Sequence, residues 1–109
     1  MKLHKNFGKM KYELKQNGKP QTYASGAKGD DDTGKTRWDL IPIEAEERIA
    51  IVFTKGAEKY GDENWRKGID PNKLYEKALR HLKTWKKGDN KEDHLAQCCV
   101  RLMMLMCSK

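Results

Sequence analysis

This 109-residue chain lacks any stretch near the run of about 18 apolar residues that a membrane-spanning helix requires. None of its segments has the layout of a secretory signal. The most apolar stretch, residues 98–107, is too short to cross a bilayer. Cysteine is scarce and confined: Cys98, Cys99 and Cys107 sit together near the C-terminus. The adjacent pair lacks metal-ligand spacing, so three buried, reduced thiols in a cytoplasmic protein are expected. Their surroundings also lack the positive charge and exposure of an activated thiolate. There are no strand-like alternations, internal repeats or low-complexity tracts, and no local support for a Ser-His-Asp or Cys-His set. What the chain does have is charge. Charged residues make up 36% and the mean hydropathy is −0.99, as for a soluble protein. One domain of this size buries only a small core, so part of its apolar surface is expected to need a partner subunit.

The net charge of +7 points first to nucleic acid. Its distribution points elsewhere. Residues 1–28 hold seven lysines against one glutamate, while residues 29–109 hold sixteen Lys/Arg against fifteen Asp/Glu. The basicity belongs to the N-terminal segment, read as a flexible basic arm over 1–28, and the domain over 29–109 is nearly neutral. Only weak, salt-sensitive attraction to polyanions is expected of the arm.

Residues 29–36 read GDDDTGKT and match the phosphate-loop pattern GxxxxGK[ST]. A phosphate loop follows a buried strand and opens a helix, whose backbone N–H groups attract phosphate. Here no apolar run precedes the motif, and Pro42 argues against a long helix from Gly34. The three aspartates would also set negative charge where phosphate sits. A polar loop is therefore expected over residues 29–42, ending in the apolar anchor Trp38–Pro42.

Three helices are expected after it. The first spans about Ile43–Tyr60, with Ile49, Val52, Phe53, Ala57 and Tyr60 at helical spacing and Gly61 at its end. Gly56 inside it suggests close packing. The second begins at Pro71 with Asp70 as its cap, carries Leu74, Ala78, Leu82 and Trp85, and ends at Gly88. The third is capped at Asn90 and reaches about Cys107. Its run CCVRLMMLMC is apolar on nearly every face, so it is expected to be buried all round in a homo-oligomer. The fold class is all-α: a small bundle of three main helices completed by oligomerisation.

Several side chains on this scaffold suit chemistry. Glu47 and Glu58 are eleven residues apart on one helix and point the same way, with Thr54 on that face. Carboxylates along one face suit a hard divalent cation, although most such pairs are a solvated acidic stripe. Glu44 fits its place as a dipole-favoured first-turn residue. His81 lies at the edge of the second helix's apolar stripe, where a boundary histidine is the plainer reading. His94 follows Glu92-Asp93 in the first turn of the third helix, a setting that can bind metal or phosphate. Tyr60, Asn64 and Trp65 could stack on and hydrogen-bond a nucleobase, and Trp65 could equally plug the core.

The order of motifs adds to this. GKTRWDLIP, GAEKYG, NWRKG, RHL and HLAQ follow one another over residues 34 to about 106. This series resembles the phage and prophage proteins classed as dATP/dGTP diphosphohydrolase N-terminal-like, grouped with MazG-like all-α nucleotide pyrophosphohydrolases. The matching positions are Gly34, Lys35, Arg37, Asp39, Glu47, Glu58, Lys59, Tyr60, Asn64, Trp65, Arg80, His81, Asp89 and His94.

The resemblance implies a protein of a phage-infected or prophage-bearing host. It would cleave purine deoxynucleoside triphosphates to monophosphate and pyrophosphate with Mg²⁺ or Mn²⁺. Glu47, Glu58 and His81 would be catalytic, and Glu47, Glu58, Asp93 and His94 would hold metal. Lys35, Arg37, Lys59 and Arg80 would take phosphate oxygens. Tyr60 or Trp65 would stack on the base while Asn64 reads its edge. Two departures, the short acidic segment Asp89–Asp93 and Gln97 in place of a second histidine, favour a rival, a non-catalytic protein that sequesters a nucleotide. A second rival is a nucleic-acid-binding or interaction protein using the basic arm.

Overall fold

The computed structural model describes residues 18–108, so most of the expected arm lies outside the described residues. The chain divides into two compact units, described here over 18–40 and 41–108.

The first unit departs from the expectation of a structureless arm and loop. Strand β1 (Pro20–Thr22) pairs antiparallel with β2 (Lys28–Asp30), in the register Pro20↔Asp30, Gln21↔Gly29 and Thr22↔Lys28. The strands are too short and polar for periodicity to reveal, and side-chain bonds close them. Asp31 accepts hydrogen bonds from the backbone N–H groups of Lys19 (2.8 Å) and Thr33 (3.0 Å). Those donors hold its carboxyl below the usual carboxylate range. Gly29 leaves room for Tyr23, whose ring a Cβ there would meet at 3.0 Å. Lys35 stands in a turn, with its N–H bonded to Asp32 O at 3.1 Å, and only a short 3-10 turn follows, at Trp38–Leu40. No helix opens at Gly34, as expected for a motif without a phosphate loop's context. Trp38 and Leu40 are exposed rather than anchored.

The second unit is helical. Helix α1 spans Ile43–Tyr60 and ends where Gly61, at φ 97°, returns its N–H to Ala57 O. A 3-10 turn over Asn64–Lys67 leads to α2 (Pro71–Lys86). Asp70 caps α2 by accepting from Asn72 N–H at 2.9 Å. Helix α3 spans His94–Met106 and is capped by Asp93, which accepts from Ala96 N–H at 3.0 Å. The cap is thus three residues beyond the expected Asn90. Asp93 wins because its carboxylate is also paired with a guanidinium of α1, which holds it in place at the helix start. The fold among the described residues is mostly helical, three helices and one two-stranded hairpin, as the expected all-α class requires.

The core is thin. It is formed by Leu74 and Ala78 of α2 and by Ala96, Cys98 and Val100 of α3, the two helices that pack most extensively, and Val100 is the most enclosed at 2% exposed. No residue of α1 is fully buried. In α2 the inward line runs 74, 78, 81, so His81 rather than Leu82 continues it, and Leu82 and Trp85 are partly exposed. Cys98 is buried, but Cys99 and Cys107 are exposed, against the expectation of three buried thiols. A helix in a three-helix unit can present only one face to its neighbours. Leu102, Met103 and Met106 are accordingly open, so α3 is not enclosed on all sides here. A Cβ at Gly56 would meet nothing within 4 Å among the described residues, so close packing there is not observed.

Candidate functional site

Three side chains converge where α2 passes the turn before α3. His81 comes from the inward line of α2, Glu92 from the turn, and His94 from the first position of α3. Gly88, at φ 94°, turns the chain back so that residues 81 and 94 face each other. The two imidazoles lie with Nδ1 atoms 2.9 Å apart and ring centroids at 5.2 Å. Glu92 Oε1 is 3.8 Å from each of those nitrogens. The histidine side chains are 17% and 8% exposed, so both imidazoles are largely withdrawn from water while Glu92 faces solvent.

Asp89 sets the proton arrangement. His94 Nε2 lies 3.2 Å from Asp89 Oδ1, and a carboxylate can only accept, so His94 carries its proton on Nε2. The Nδ1 lone pair of His94 is left to accept from Nδ1–H of His81, and an ion between the two would require His81 to carry its proton on Nε2 instead. Hydrogen bonds from Lys91 N–H and His94 hold the Asp89 carboxyl below the usual carboxylate range. Burial lowers the His81 pKa, the Arg101 charge adds to this, and Glu92 partly opposes it. A neutral His81 follows near pH 7.

The donor set fits a metal ion. His81, Glu92 and His94 each offer one ligand atom, all within 4.8 Å of one another. Two nitrogens at right angles on one ion, each about 2.1 Å from it, stand about 3 Å apart, close to the Nδ1 spacing seen. Two imidazoles and one carboxylate suit ions such as Mn²⁺ or Zn²⁺ better than Mg²⁺, which prefers oxygen.

Other expected ligands are placed differently. Asp93 is taken by Arg48, whose Nε and Nη2 donate to its two oxygens at 2.7 and 2.6 Å. That bidentate pair holds the Asp93 carboxyl down to about 2. Glu47 and Glu58 are exposed on the α1 face that carries Ile51 and Thr54, outside the histidine cluster. Eleven residues separate them by about 16 Å along the axis, too far to share one ion. Thr54 donates its hydroxyl back to Ala50 O at 2.7 Å.

A groove of about 1270 Å³ runs along α1 and shares Glu92 with the cluster. Tyr60, Asn64 and Trp65 all line it, together with Phe53 and Lys59. Trp65 stacks beneath Arg66 at 4.4 Å and tilts against Phe53, and both aromatic rings are half-buried in the groove wall. Lys59 lies over Tyr60 at 5.2 Å. Arg80 is exposed and does not line the groove. Lys35 and Arg37 belong to the other unit, where Arg37 is engaged by Asp39 at 2.7–2.8 Å.

Sequence reasoning singled out both histidines but not Glu92 as the carboxylate between them, nor Arg48 or Arg101. The available signal was Glu92-x-His94, two residues apart at a helix start. Its partner His81 is thirteen residues back, across a turn whose path no periodicity reveals.

Comparison with curated proteins and with solved structures gives no match. A family model described as dATP/dGTP diphosphohydrolase, N-terminal, matches residues 25–108, which include the histidine cluster and the groove, and the chain belongs to that family.

Proposed function

We propose that the chain is a metal-dependent diphosphohydrolase that cleaves purine deoxynucleoside triphosphates to monophosphate and pyrophosphate. The observation that carries this reading is the His81–Glu92–His94 cluster at the edge of a groove lined by aromatic and cationic side chains. The family description supplies the substrate class. Of the two ions expected, Mn²⁺ suits the donor set better. When bound, the ion supplies positive charge to the phosphate oxygens and lowers the pKa of water in the site.

The chain's own residues do the rest. His81, Glu92 and His94 converge as ligands, and Asp89 fixes the His94 tautomer. His81, kept neutral by burial, has a lone pair for an ion or for a proton from water. Trp65 or Tyr60 stacks on the base and Asn64 reads its edge. Lys59 takes phosphate oxygens from the groove wall. Glu47 and Glu58 act as carboxylate ligands to cations that accompany the triphosphate, each from its own turn of α1. Lys35, Arg37 and Arg80 are proposed as further phosphate contacts, and the homo-oligomer through α3 remains part of the reading.

The test is product analysis. Each common dNTP and NTP is incubated with the purified chain, with and without Mn²⁺ or Mg²⁺. Metal-dependent monophosphate and pyrophosphate from purine deoxynucleotides is the expected result. Glu92→Gln should lower turnover at least about a hundredfold with the helical spectrum unchanged. Unaltered turnover in Glu92→Gln would remove the cluster from the mechanism. The commitment of Asp93 to Arg48 favours one further reading, a protein that binds the nucleotide without cleaving it. Intact nucleotide throughout, with measurable binding, would establish that reading instead.

A further inference from the structure

Arg101 stands apart from the other cations of the groove. Arg48 is paired with Asp93, Arg66 with Glu63 and the Trp65 ring, and Lys59 with the Tyr60 ring, while Lys55, Lys77 and Lys91 extend into solvent. Those side chains are also exposed. Arg101 is half-buried, and burial lowers its pKa from the ordinary arginine value, which the charge of Glu92 opposes only in part. Among the described residues, no carboxylate lies within ion-pair distance of it. Its hydrogen bonds there are two long ones from a single nitrogen, Nη1 to Gln97 O (3.4 Å) and to Gln97 Oε1 (3.3 Å). A guanidinium has five N–H donors in a planar fork. Withdrawing such a cation from water without an anionic partner is unfavourable.

Its neighbours give this unpaired charge a direction. Gln97 accepts from Arg101 through Oε1 and donates through Nε2 to Glu92 Oε1. One amide therefore joins the guanidinium to the carboxylate of the histidine cluster. Glu92 is committed to Gln97 and faces both imidazoles, so it does not neutralise Arg101 directly. Arg101, Gln97 and Glu92 all line the same groove.

We propose that Arg101 is the anchor for the polyphosphate of the substrate, its free guanidinium edge taking phosphate oxygens beside His81–Glu92–His94, with Gln97 setting its position. The proposal rests on the nucleotide reading above and adds a residue and a role to it. A planar fork matches two oxygens of one phosphate, which a lysine cannot do. The polyphosphate could belong to a nucleotide or be free, and the measurement separates these sources.

The full-length chain is titrated calorimetrically with inorganic tripolyphosphate, dGTP and deoxyguanosine in Mn²⁺. Arg101→Met should weaken tripolyphosphate and dGTP binding by about ten- to hundredfold, the loss of hydrogen bonds to a charged partner. Deoxyguanosine binding, through the more distant Trp65 and Asn64, should stay within about twofold, which a merely structural role for Arg101 does not predict. Arg101→Lys should be intermediate, and Lys83→Met, exposed and outside the groove, should match the parent. Arg101→Gln keeps a polar side chain and carries the same test where Met prevents folding. Parent-like tripolyphosphate binding in a folded Arg101→Met or Arg101→Gln chain overturns the proposal while leaving the hydrolase reading intact. Loss of self-association with unchanged tripolyphosphate binding also overturns it, by making Arg101 an interface residue. A parent chain that neither binds tripolyphosphate nor cleaves nucleotides removes both readings together.

Discussion

His94 has both ring nitrogens engaged, Nε2 by Asp89 and Nδ1 by His81. A carboxylate that takes a hydrogen bond from one nitrogen orients the ring and leaves the other lone pair for a ligand. Asp89→Asn should therefore weaken Mn²⁺ binding by about ten- to a hundredfold while the fold persists. Unchanged affinity by electron paramagnetic resonance would show that the tautomer is set some other way. One residue earlier, Asp93 is more acidic folded than unfolded, held at about 2 by Arg48. Its contribution is complete above the unfolded carboxylate value, about 4, and fades as the pH falls through the folded one. The Arg48 side chain is 53% exposed, so screening limits this to on the order of 1 kcal/mol. Thermal melts from about pH 5 downward should lose stability more steeply in the parent than in Arg48→Met; parallel curves would mean that the pair contributes nothing. His81 and His94 were legible one at a time as unusual residues. Their meeting, and Glu92 as the third member, were not, because a turn of seven residues between α2 and α3 decides it.

Among the elements, α1 shows most clearly what a helical pattern can and cannot convey. Its limits, Ile43 to Tyr60, follow from Pro42, the acidic first turn and Gly61, all local causes. Gly56 is a different matter: helical, half-buried and with open space where a Cβ would go. Gly56→Ala should raise stability by about 0.5–1 kcal/mol, since alanine is the better helix former. A lowered melting temperature would mean that another surface closes on that position. Helix α2 depends on its cap in the usual way, and Asp70→Ala should cost about 1 kcal/mol in denaturant unfolding. Helix α3 begins later than its sequence suggests because the Arg48 guanidinium rewards Asp93 as the cap, and that partner lies 45 residues away. The hairpin β1–β2 went unrecognised for the opposite reason: three-residue strands hold too few side chains to form a pattern.

At the scale of the whole molecule, the described core is small and apolar side chains remain open on α1 and α3: Ile51, Leu102, Met103 and Met106. Exposure of this kind at helical spacing accords with self-association. Light scattering after size exclusion should give a mass at least twice that of one chain, and Ile51→Lys with Met103→Lys should shift it toward the monomer. A monomeric parent at micromolar concentration would remove the oligomer from the proposal.

By itself the sequence determined the helical class, the limits of α1, the start of α2, the placement of basic charge in residues 1–28 and the family, because each rests on local pattern or ordered motifs. Only the tertiary structure decided that Glu92 joins the histidines, that Asp93 serves Arg48, that Glu47 and Glu58 stand apart from the cluster, and that no carboxylate among the described residues pairs with Arg101. Those outcomes depend on distances between residues remote in the chain, which packing sets and periodicity does not carry.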